Sequence, residues 1–239
     1  APEAELVIVK LKPAKEYLRE LYLIPPEAEV FQEDDIMLGI SYAIKCALRY
    51  QKPLSVCVGL GSSQGSHRGD GPLSQYISSI ADFTQNCVSV AAGNEGLARR
   101  HYMGLLDEKT TSDILELRVG AKEAVHGFSM EFWGEASDFY HVTIQSPTGE
   151  RLQVSSALKY GTQELSFVFV ETKVMVNYVP IERRSGNTLI FFRFLHPAEG
   201  IWKLETSGRL NSSARFHVWL PVQGMISEET YFLESSPEY

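Results

Sequence analysis

The sequence predicts a two-part fold, α/β followed by all-β, in which a parallel sheet with helices precedes an antiparallel β-sandwich. Over residues 1–105, short apolar runs alternate with stretches of helical periodicity, as in sheets built from crossover units. An apolar–polar alternation of period two then begins near Ile114 and continues to Leu220. Turn signals in this second part recur about every 8–12 residues, a spacing typical of a β-sandwich.

The first part is predicted to contain three strands and two helices. Leu6–Val9 is a continuous apolar run, which predicts a strand buried on both faces of a parallel sheet. A polar stretch follows, in which Pro25-Pro26 would break any helix. Apolar residues from Ile36 to Ala47 recur at helical spacing, and Asp34 or Asp35 can cap that helix. The remaining predicted elements are a strand at Leu54–Val58, a helix at Leu73–Ala81 and a strand at Val88–Ala91.

The second part is predicted to hold about eight or nine short strands and no helix of three turns. Its strands show a clear alternation, for example at Phe128, Met130 and Phe132. The polar run from Asp107 to Asp113 separates it from the first part, so we place the boundary within 106–113.

Composition argues against several classes of function. The net charge of −8 is unfavourable for binding a phosphate backbone, and no apolar run approaches the roughly 18 residues of a membrane span. Three cysteines without CxxC spacing form neither a disulfide framework nor a zinc site. Because Cys46, Cys57 and Cys87 have apolar neighbours, we predict that they are small buried core residues in a non-oxidising setting.

No cofactor or metal site is predicted. His67, Asp70 and His101 match no zinc spacing, and the first two lie in a glycine-rich loop that we expect to be solvated. The acidic run Glu33–Asp35 is better explained as a helix N-terminal charge set than as a calcium site. A sugar-binding platform is less well supported than sandwich core for the three tryptophans, which are Trp133, Trp202 and Trp219.

The segment Val90–Gly96 carries the strongest chemical signal. It follows a predicted buried strand, and open α/β sheets place their sites at the carboxyl ends of strands. Asn94 can direct its side-chain amide at a developing oxyanion, and its small neighbours let a substrate backbone approach. Taken alone, the segment is equally well explained as a glycine-rich turn.

Four motifs of the first part occur in a fixed order along the chain. They are Ala1-Pro2-Glu3-Ala4-Glu5-Leu6 with Val9-Lys10, the helix from Ile36 to Ala47, the strand end Val58-Gly59-Leu60-Gly61, and Ala91-Ala92-Gly93-Asn94-Glu95-Gly96. Together they resemble the subtilisin-like serine proteases, in which the first motif follows the catalytic histidine helix. The resemblance covers residues 1–96 and implies that the first part is a partial subtilisin-like sheet.

Further segments narrow this resemblance. Leu60–His67, Arg100-His101-Tyr102, Gly200-Ile201-Trp202 and His217–Pro221 are similar to the spore-germination (Csp-type) branch of the subtilases. In that branch a jelly-roll domain interrupts the protease domain after the oxyanion asparagine. The resemblance therefore implies a peptidase segment at 1–105, a jelly-roll insertion at 106–224 and a return segment at 225–239.

The resemblance also implies roles for individual residues. Asn94 becomes the oxyanion donor, while Gly59-Leu60-Gly61 and Ala91-Ala92-Gly93 line the substrate groove. Residue 59 is glycine where the family has serine, which a backbone-lining position tolerates. The resemblance places the catalytic Asp and His before Ala1 and the nucleophilic Ser after Tyr239, because neither Ser62-Ser63 nor Ser212-Ser213 supplies the family's nucleophile context.

Two functions are consistent with these patterns. The first is a fragment of a serine endopeptidase, inactive alone, that acts on a polypeptide substrate once joined by the remaining parent segments and a prodomain. The alternative is a pseudoprotease-derived interaction module acting through the β-sandwich, because the branch contains both active and inactive members. A carbohydrate-binding sandwich is the weakest candidate. No nucleic-acid or membrane partner is expected, and the resemblance implies a soluble bacterial protein, intracellular or spore-associated.

Overall fold

The computed structural model describes residues 3–82, 85–135, 139–156, 161–209 and 213–234. The chain is rich in sheet, with few helices, and it begins with an α/β region. None of the described helices has the length and apolarity required to cross a membrane. The elements of the α/β region are α1 (Glu16–Tyr22), α2 (Glu33–Tyr50), β1 (Leu54–Val58), α3 (Pro72–Ala81) and β2 (Asn86–Val90).

A parallel strand pair forms the centre of the α/β region. β1 and β2 run in parallel register from Leu54 opposite Asn86 to Val58 opposite Val90. The amphipathic helices α2 and α3 cover one face of this pair, because their apolar stripes meet around Ile40 and Ile80. The two predicted helices and the last two predicted strands are therefore confirmed.

The start of α2 differs from the prediction in its cap. The helix begins at Glu33 and its N-cap residue is Gln32, so neither Asp34 nor Asp35 is the cap. These acids lie in the first turn with Glu33, where a negative charge is stabilised by the helix dipole. The interpretation of the acidic run as a helix N-terminal charge set is confirmed.

The predicted first strand at Leu6–Val9 is wrong. No strand is formed there, and the side chains of Leu6 and Ile8 are 82% and 85% exposed. The segment instead crosses α2 at Gly39, where a Cβ atom would lie 3.0 Å from Cγ1 of Val9. An apolar run becomes a strand only when a neighbouring strand pairs with it, and the described residues provide none at this position.

Helix α1 lies in the polar stretch for which we predicted no element, and it ends before Pro25-Pro26. Seven residues are too few for a stable isolated helix, so tertiary contacts must hold it. The guanidinium of Arg19 supplies them by donating to the backbone carbonyls of Pro25, Pro26 and Ala28 at 2.6, 3.0 and 3.0 Å. The two prolines that end the helix are therefore also part of what stabilises it.

The cysteines are not buried core residues, and that prediction is wrong. Cys57 and Cys87 are exposed and Cys46 is half-buried. Both exposed cysteines lie on the face of the β1–β2 pair opposite the helices, together with Ser55 and Ser89. Within the described residues, this face of the sheet has no covering layer.

The remaining elements form two antiparallel sheets around one core. The first sheet has the strand order β3-β12-β5-β10-β9-β8, and the second has the order β13-β4-β11-β6-β7. The only helix among the described residues of this region is the four-residue α4 (Glu123–His126), which follows β4 in the chain. The strands are β3 (His101–Leu106), β4 (Ser112–Val119), β5 (Phe128–Gly134), β6 (Phe139–Gln145), β7 (Arg151–Gln153), β8 (Thr162–Ser166), β9 (Lys173–Val179), β10 (Thr188–Leu195), β11 (Gly200–Arg209), β12 (Ala214–Trp219) and β13 (Tyr231–Phe232).

Aromatic side chains fill the space between the two sheets. Phe194 of β10 stacks on Phe128 of β5 with ring centroids 4.7 Å apart, and it meets the edge of Trp202 of β11 at 5.6 Å. Trp202 is fully buried, and Trp133 and Trp219 are each 7% exposed. The prediction of a β-sandwich with tryptophans in buried positions is confirmed, whereas its jelly-roll assignment stays a prediction.

Two short strands extend the sandwich beyond its predicted limits. β3 falls within the range assigned to the α/β part, yet its whole length pairs with β12. β13 falls within the range expected to return to the peptidase part, yet it pairs with β4. Residues 107–111 are consequently a link between two sandwich strands. The division into domains at 105 and 224 stays a prediction, with these strands as exceptions to it.

Candidate functional site

The two predicted groove segments leave the parallel pair side by side. Gly59-Leu60-Gly61 follows β1, and Ala91-Ala92-Gly93-Asn94 follows β2. The amide of Ala91 donates to the carbonyl of Val58 at 3.0 Å, which continues the pairing one step past the strands. All seven residues are exposed. Their backbones are therefore accessible at one edge of the sheet, where α/β folds place their sites.

The glycines of these segments differ in what their positions require: one needs a left-handed backbone conformation, and the other two have open space around them. Gly93 has φ of +89°, a left-handed conformation that side chains rarely adopt, so the turn before Asn94 requires it. At Gly59 and Gly61 a Cβ atom would meet nothing within 4 Å. The space above these two residues is open, as the prediction that a peptide backbone lies against this segment requires.

Asn94 itself is exposed and lies four residues past the end of β2. Its side-chain amide has no hydrogen-bond partner in the part of the chain that the structure describes, so it is available to an external acceptor. It lines a small cavity of about 380 Å³. Leu60 and Gly61 line a larger cavity of about 930 Å³, so a single groove shared by Gly61 and Asn94 stays a prediction.

The larger cavity, which we call the interface cavity, lies between the α/β region and the sandwich. Its walls come from α1, from the start of α2 and from the loop of residues 60–73. The opposite wall comes from the sandwich, including Glu131 and Trp133 of β5. The sandwich therefore contributes directly to the space next to the predicted groove.

The loop after β1 is fixed to the sandwich by hydrogen bonds. The hydroxyl of Ser63 donates to the carbonyl of Leu220 at 2.6 Å, and the amide of Gly65 donates to Oε2 of Glu131 at 2.8 Å. Trp133 Nε1 donates to the same carboxylate oxygen at 2.8 Å. The backbone that leads away from Gly61 is thus held by a buried carboxylate of the other region.

A stack of aromatic rings reinforces this contact. His67 of the loop stacks on one face of Trp219 with centroids 3.7 Å apart, and His101 stacks on the other face at 3.8 Å. His101 Nε2 also lies 2.9 Å from Nδ1 of His217. His67 has φ of +56°, and Nε2 of its ring contacts the carbonyl of Ser63 at 3.0 Å. The indole of Trp219 therefore separates His67 from His101, the two histidines that we considered as metal ligands.

This ring stack predicts a loss of stability in acid. Burial lowers the pKa of His67, and its hydrogen bond to the Ser63 carbonyl opposes this shift. The pKa of His217 is lowered by burial, by Arg215 and by His67, and Glu135 opposes that shift. The folded state therefore prefers neutral rings. The contribution of these neutral rings to the free energy of unfolding is fully present above the ordinary pKa of 6.5, and it is lost as the pH falls through the lowered pKa values of the folded state.

Replacement of His67 by phenylalanine keeps a ring on Trp219, so we expect a weaker pH dependence of the unfolding free energy between about pH 7 and pH 5. An equal pH dependence in both proteins, measured by denaturant titration, would contradict this role.

The loop after β2 is fixed to the sandwich by a second carboxylate. Glu95, next to Asn94, forms an ion pair with Arg100, whose side chain is 4% exposed. Oε1 of Glu95 accepts a hydrogen bond at 2.7 Å from the amide of Gln223. Because Glu95 bonds on both sides, the position of Asn94 depends on residues about 130 positions away in the chain.

Sequence reasoning missed these anchoring residues, which are Glu95, Arg100, Glu131 and Gln223. The bonds of Glu131 to Gly65 and of Glu95 to Gln223 join residues 66 and 128 positions apart, so no local spacing reveals them. Glu131 stands in a strand whose alternation predicts an outward position, and it does face away from the sandwich core. It is only 8% exposed because the α/β region covers that outer face. The alternation of the strand therefore gave no signal that Glu131 would be buried.

Negative charge collects at the wall of the interface cavity. Burial, Glu131 and Glu33 together raise the pKa of Tyr22 to about 12. Burial also raises the pKa of Glu131, while the donors at Gly65 and Trp133 oppose that rise. Two carboxylates thus act on one phenol, and neither forms an ion pair with the described residues.

Three described histidine rings bond to groups other than a serine hydroxyl, and no metal-binding cluster forms among the described residues. The rings of His67, His196 and His217 contact the Ser63 carbonyl, the Ala124 carbonyl and His101, and none of these contacts involves a serine hydroxyl. Across the described ranges, no three His, Cys, Asp or Glu side chains converge as a metal site would require. What the site offers chemically is an exposed amide donor beside two open backbone segments.

Comparison with known proteins identifies one informative likeness of fold. A solved structure of the CspB protease of Clostridium perfringens matches with a TM-score of 0.75 at 24% sequence identity. The match covers 87% of this chain and 42% of that one, so the chain spans less than half of that protease. No protein-family model and no curated protein matches the sequence. At this identity the likeness establishes a shared fold.

Proposed function

We propose that the chain is part of a subtilisin-like serine endopeptidase, in which Asn94 is the oxyanion donor and the neighbouring segments line the substrate groove. One observation carries the proposal. An unpaired, exposed asparagine amide follows one strand of a parallel pair, and an open glycine-containing segment follows the other. The fold shared with a protease supports the same conclusion.

The chemistry of acyl transfer explains why these residues would be needed. Attack on a peptide carbonyl places negative charge on its oxygen, and a donor held in advance stabilises that charge more than it stabilises the substrate. Both segments are exposed, and the space around Gly59, Gly61 and Gly93 is open, so an extended peptide could approach their backbone. The nucleophilic serine, the histidine base and the aspartate would be supplied by other segments of the parent protease.

The two-stranded sheet supports partnership with such segments. Parallel sheets normally have both faces covered, yet the face carrying Cys57 and Cys87 has no covering layer in the described residues. Neighbouring strands and helices of a parent peptidase domain would complete it. A prodomain is a further proposed partner, as the family resemblance implies.

The proposal predicts that the isolated chain is inactive. Acyl transfer needs a serine activated by a base within about 3 Å, and the proposal assigns both groups to other segments of the parent. The chain should therefore neither hydrolyse fluorogenic peptide reporters nor react with a fluorophosphonate, while the full-length parent should do both. Mass spectrometry after labelling is the measurement. Stoichiometric modification of one serine in the isolated chain would place the nucleophile within it and refute the assignment of the triad to the flanks.

One feature favours the alternative of an interaction module that acts through the sandwich. Val168 and Phe169, at the turn between β8 and β9, are 81% and 73% exposed. The turn is rigid, because the carboxylate of Glu150 accepts hydrogen bonds from both of their amides. A parent that lacks any triad residue, yet loses a binding partner when Phe169 is replaced by serine, would favour this function over proteolysis.

A further inference from the structure

The interface cavity is larger than a backbone groove needs, and it is open to the predicted groove. Leu60 and Gly61 line it, so a peptide lying along Gly59–Gly61 can direct a side chain into it. Its volume of about 930 Å³ is within the range of ligand-binding cavities. The question is therefore which kind of side chain the cavity would accept.

Charge in the cavity is strongly one-sided. Arg184 is the one Arg or Lys among the described lining residues. Several of the lining acids already have partners, since Asp34 bonds to Gln32, Asp70 to Ser66, and Glu182 to Ser185. The acidic lining residues are Glu29, Glu33, Asp34, Asp70, Glu131 and Glu182.

Glu131 is the acid that points to a ligand. It is 8% exposed, and both of its described hydrogen bonds, from Gly65 and Trp133, are made to Oε2. Oε1 accepts no hydrogen bond, and the residue forms no ion pair, within the described part of the chain. Oε1 is not one of the fully enclosed side-chain atoms without a partner, so it is accessible from the cavity, where a cation would offset the burial of the carboxylate.

The walls around Glu131 suit a long cationic side chain. Tyr22, Ile24 and Leu189 line the same cavity and offer apolar surface for an aliphatic stem. Trp133 and Tyr22 also line the cavity, and aromatic side chains are favourable neighbours for a guanidinium. A metal ion fits less well, because it needs several converging ligands and the described residues form no such group.

We propose that the interface cavity is a specificity subsite for an arginine or lysine side chain of a polypeptide, with Glu131 as its anionic partner. The proposal deepens the proposed endopeptidase function, because it names the substrate class that the groove would select. It also gives the sandwich a direct part in recognition, since Glu131 and Trp133 belong to β5.

Two blocked alanine pentapeptides test the proposal, one with a central arginine and the other with a central citrulline. Citrulline has nearly the same shape as arginine but no charge. We expect the chain to bind the arginine peptide at least about tenfold more tightly, since a charge-assisted pair forms only with arginine. Isothermal titration calorimetry measures both affinities. Equal affinities, or no binding of either peptide at millimolar concentration, would overturn the proposal.

A variant assigns the discrimination to Glu131. E131Q keeps an acceptor for Gly65 and Trp133 and removes the charge, so it should lose the preference for arginine. E171Q removes the same charge from an exposed position of the sandwich outside the cavity and should keep the preference. A preference that survives in E131Q would show that another group binds the cation.

A second readout guards against misfolding of E131Q. Because Trp133 is bonded to Glu131, the arginine peptide should change the tryptophan emission of the wild type, and W133F should remove that change. An unchanged emission in the wild type on saturation would contradict the site.

These binding measurements need no catalysis. A parent that binds arginine selectively but cleaves nothing would refute only the endopeptidase function, and one that cleaves arginine and citrulline peptides equally would refute only the subsite.

Discussion

In the parent protease that we propose, replacement of Asn94 by alanine should lower kcat by about 10²–10³-fold and leave KM nearly unchanged. The side-chain amide would bond to the substrate oxygen mainly when that oxygen becomes an anion, so its loss raises the barrier without weakening ground-state binding. The exposed, unpaired amide of Asn94 makes this expectation specific, because no described protein group competes for it. Steady-state kinetics with a fluorogenic peptide measures both constants.

Two further variants separate the oxyanion role from a structural one. Asn94→Asp preserves size but replaces the amide donor by a carboxylate, so kcat should fall at least as far as in the alanine variant. Asn86→Ala makes the same truncation at the other end of β2 and should leave kcat within a few-fold of the wild type. A kcat for Asn94→Ala equal to that of Asn86→Ala would remove Asn94 from the mechanism.

Replacement of Phe194 by alanine should lower the unfolding free energy of the chain by about 3–5 kcal/mol. The ring is fully buried between the two sheets, where it stacks on Phe128 and meets the edge of Trp202. The large effect arises because the surrounding rings belong to different strands and cannot collapse fully into the space left behind. Denaturant titration followed by circular dichroism gives the change.

Phe169→Ala is the matched control, since it makes the same substitution at a side chain that is 73% exposed. We expect a change within about 0.5 kcal/mol, as for other surface positions. If both variants lost the same stability, the aromatic cluster between the sheets would not be the dominant source of sandwich stability.

Residues with strong local periodicity could be predicted from the sequence. α2 and α3 form where apolar residues recur at helical spacing, and β1 and β2 form where short apolar runs end in glycine or alanine. Phe128, Met130 and Phe132 face the core as their alternation predicts. In these elements the local pattern and the tertiary structure agree, so the pattern is sufficient to predict the element and the residues that face the core.

Features that depend on a distant neighbour could not be predicted. Leu6–Val9 has the composition of a strand, but pairing is a property of two segments and the described chain provides only one. Ser129, Glu131 and Trp133 lie on the outward face of β5, yet all three are buried because the α/β region packs over them. The sequence predicts that the two groove segments follow β1 and β2, whereas the long-range partners of Glu95 and Glu131, which anchor their loops, could not be predicted.

The unpaired edges of the β1–β2 sheet have a practical consequence for the isolated chain in solution. Each strand has neighbours on one side only within the described residues, so a row of backbone donors and acceptors is left available at each edge. Such edges template intermolecular strand addition, and the exposed Leu6 and Ile8 add adhesive surface. The apparent size of the chain in light scattering should therefore increase with protein concentration, and lysine placed at edge positions of β1 should suppress that increase.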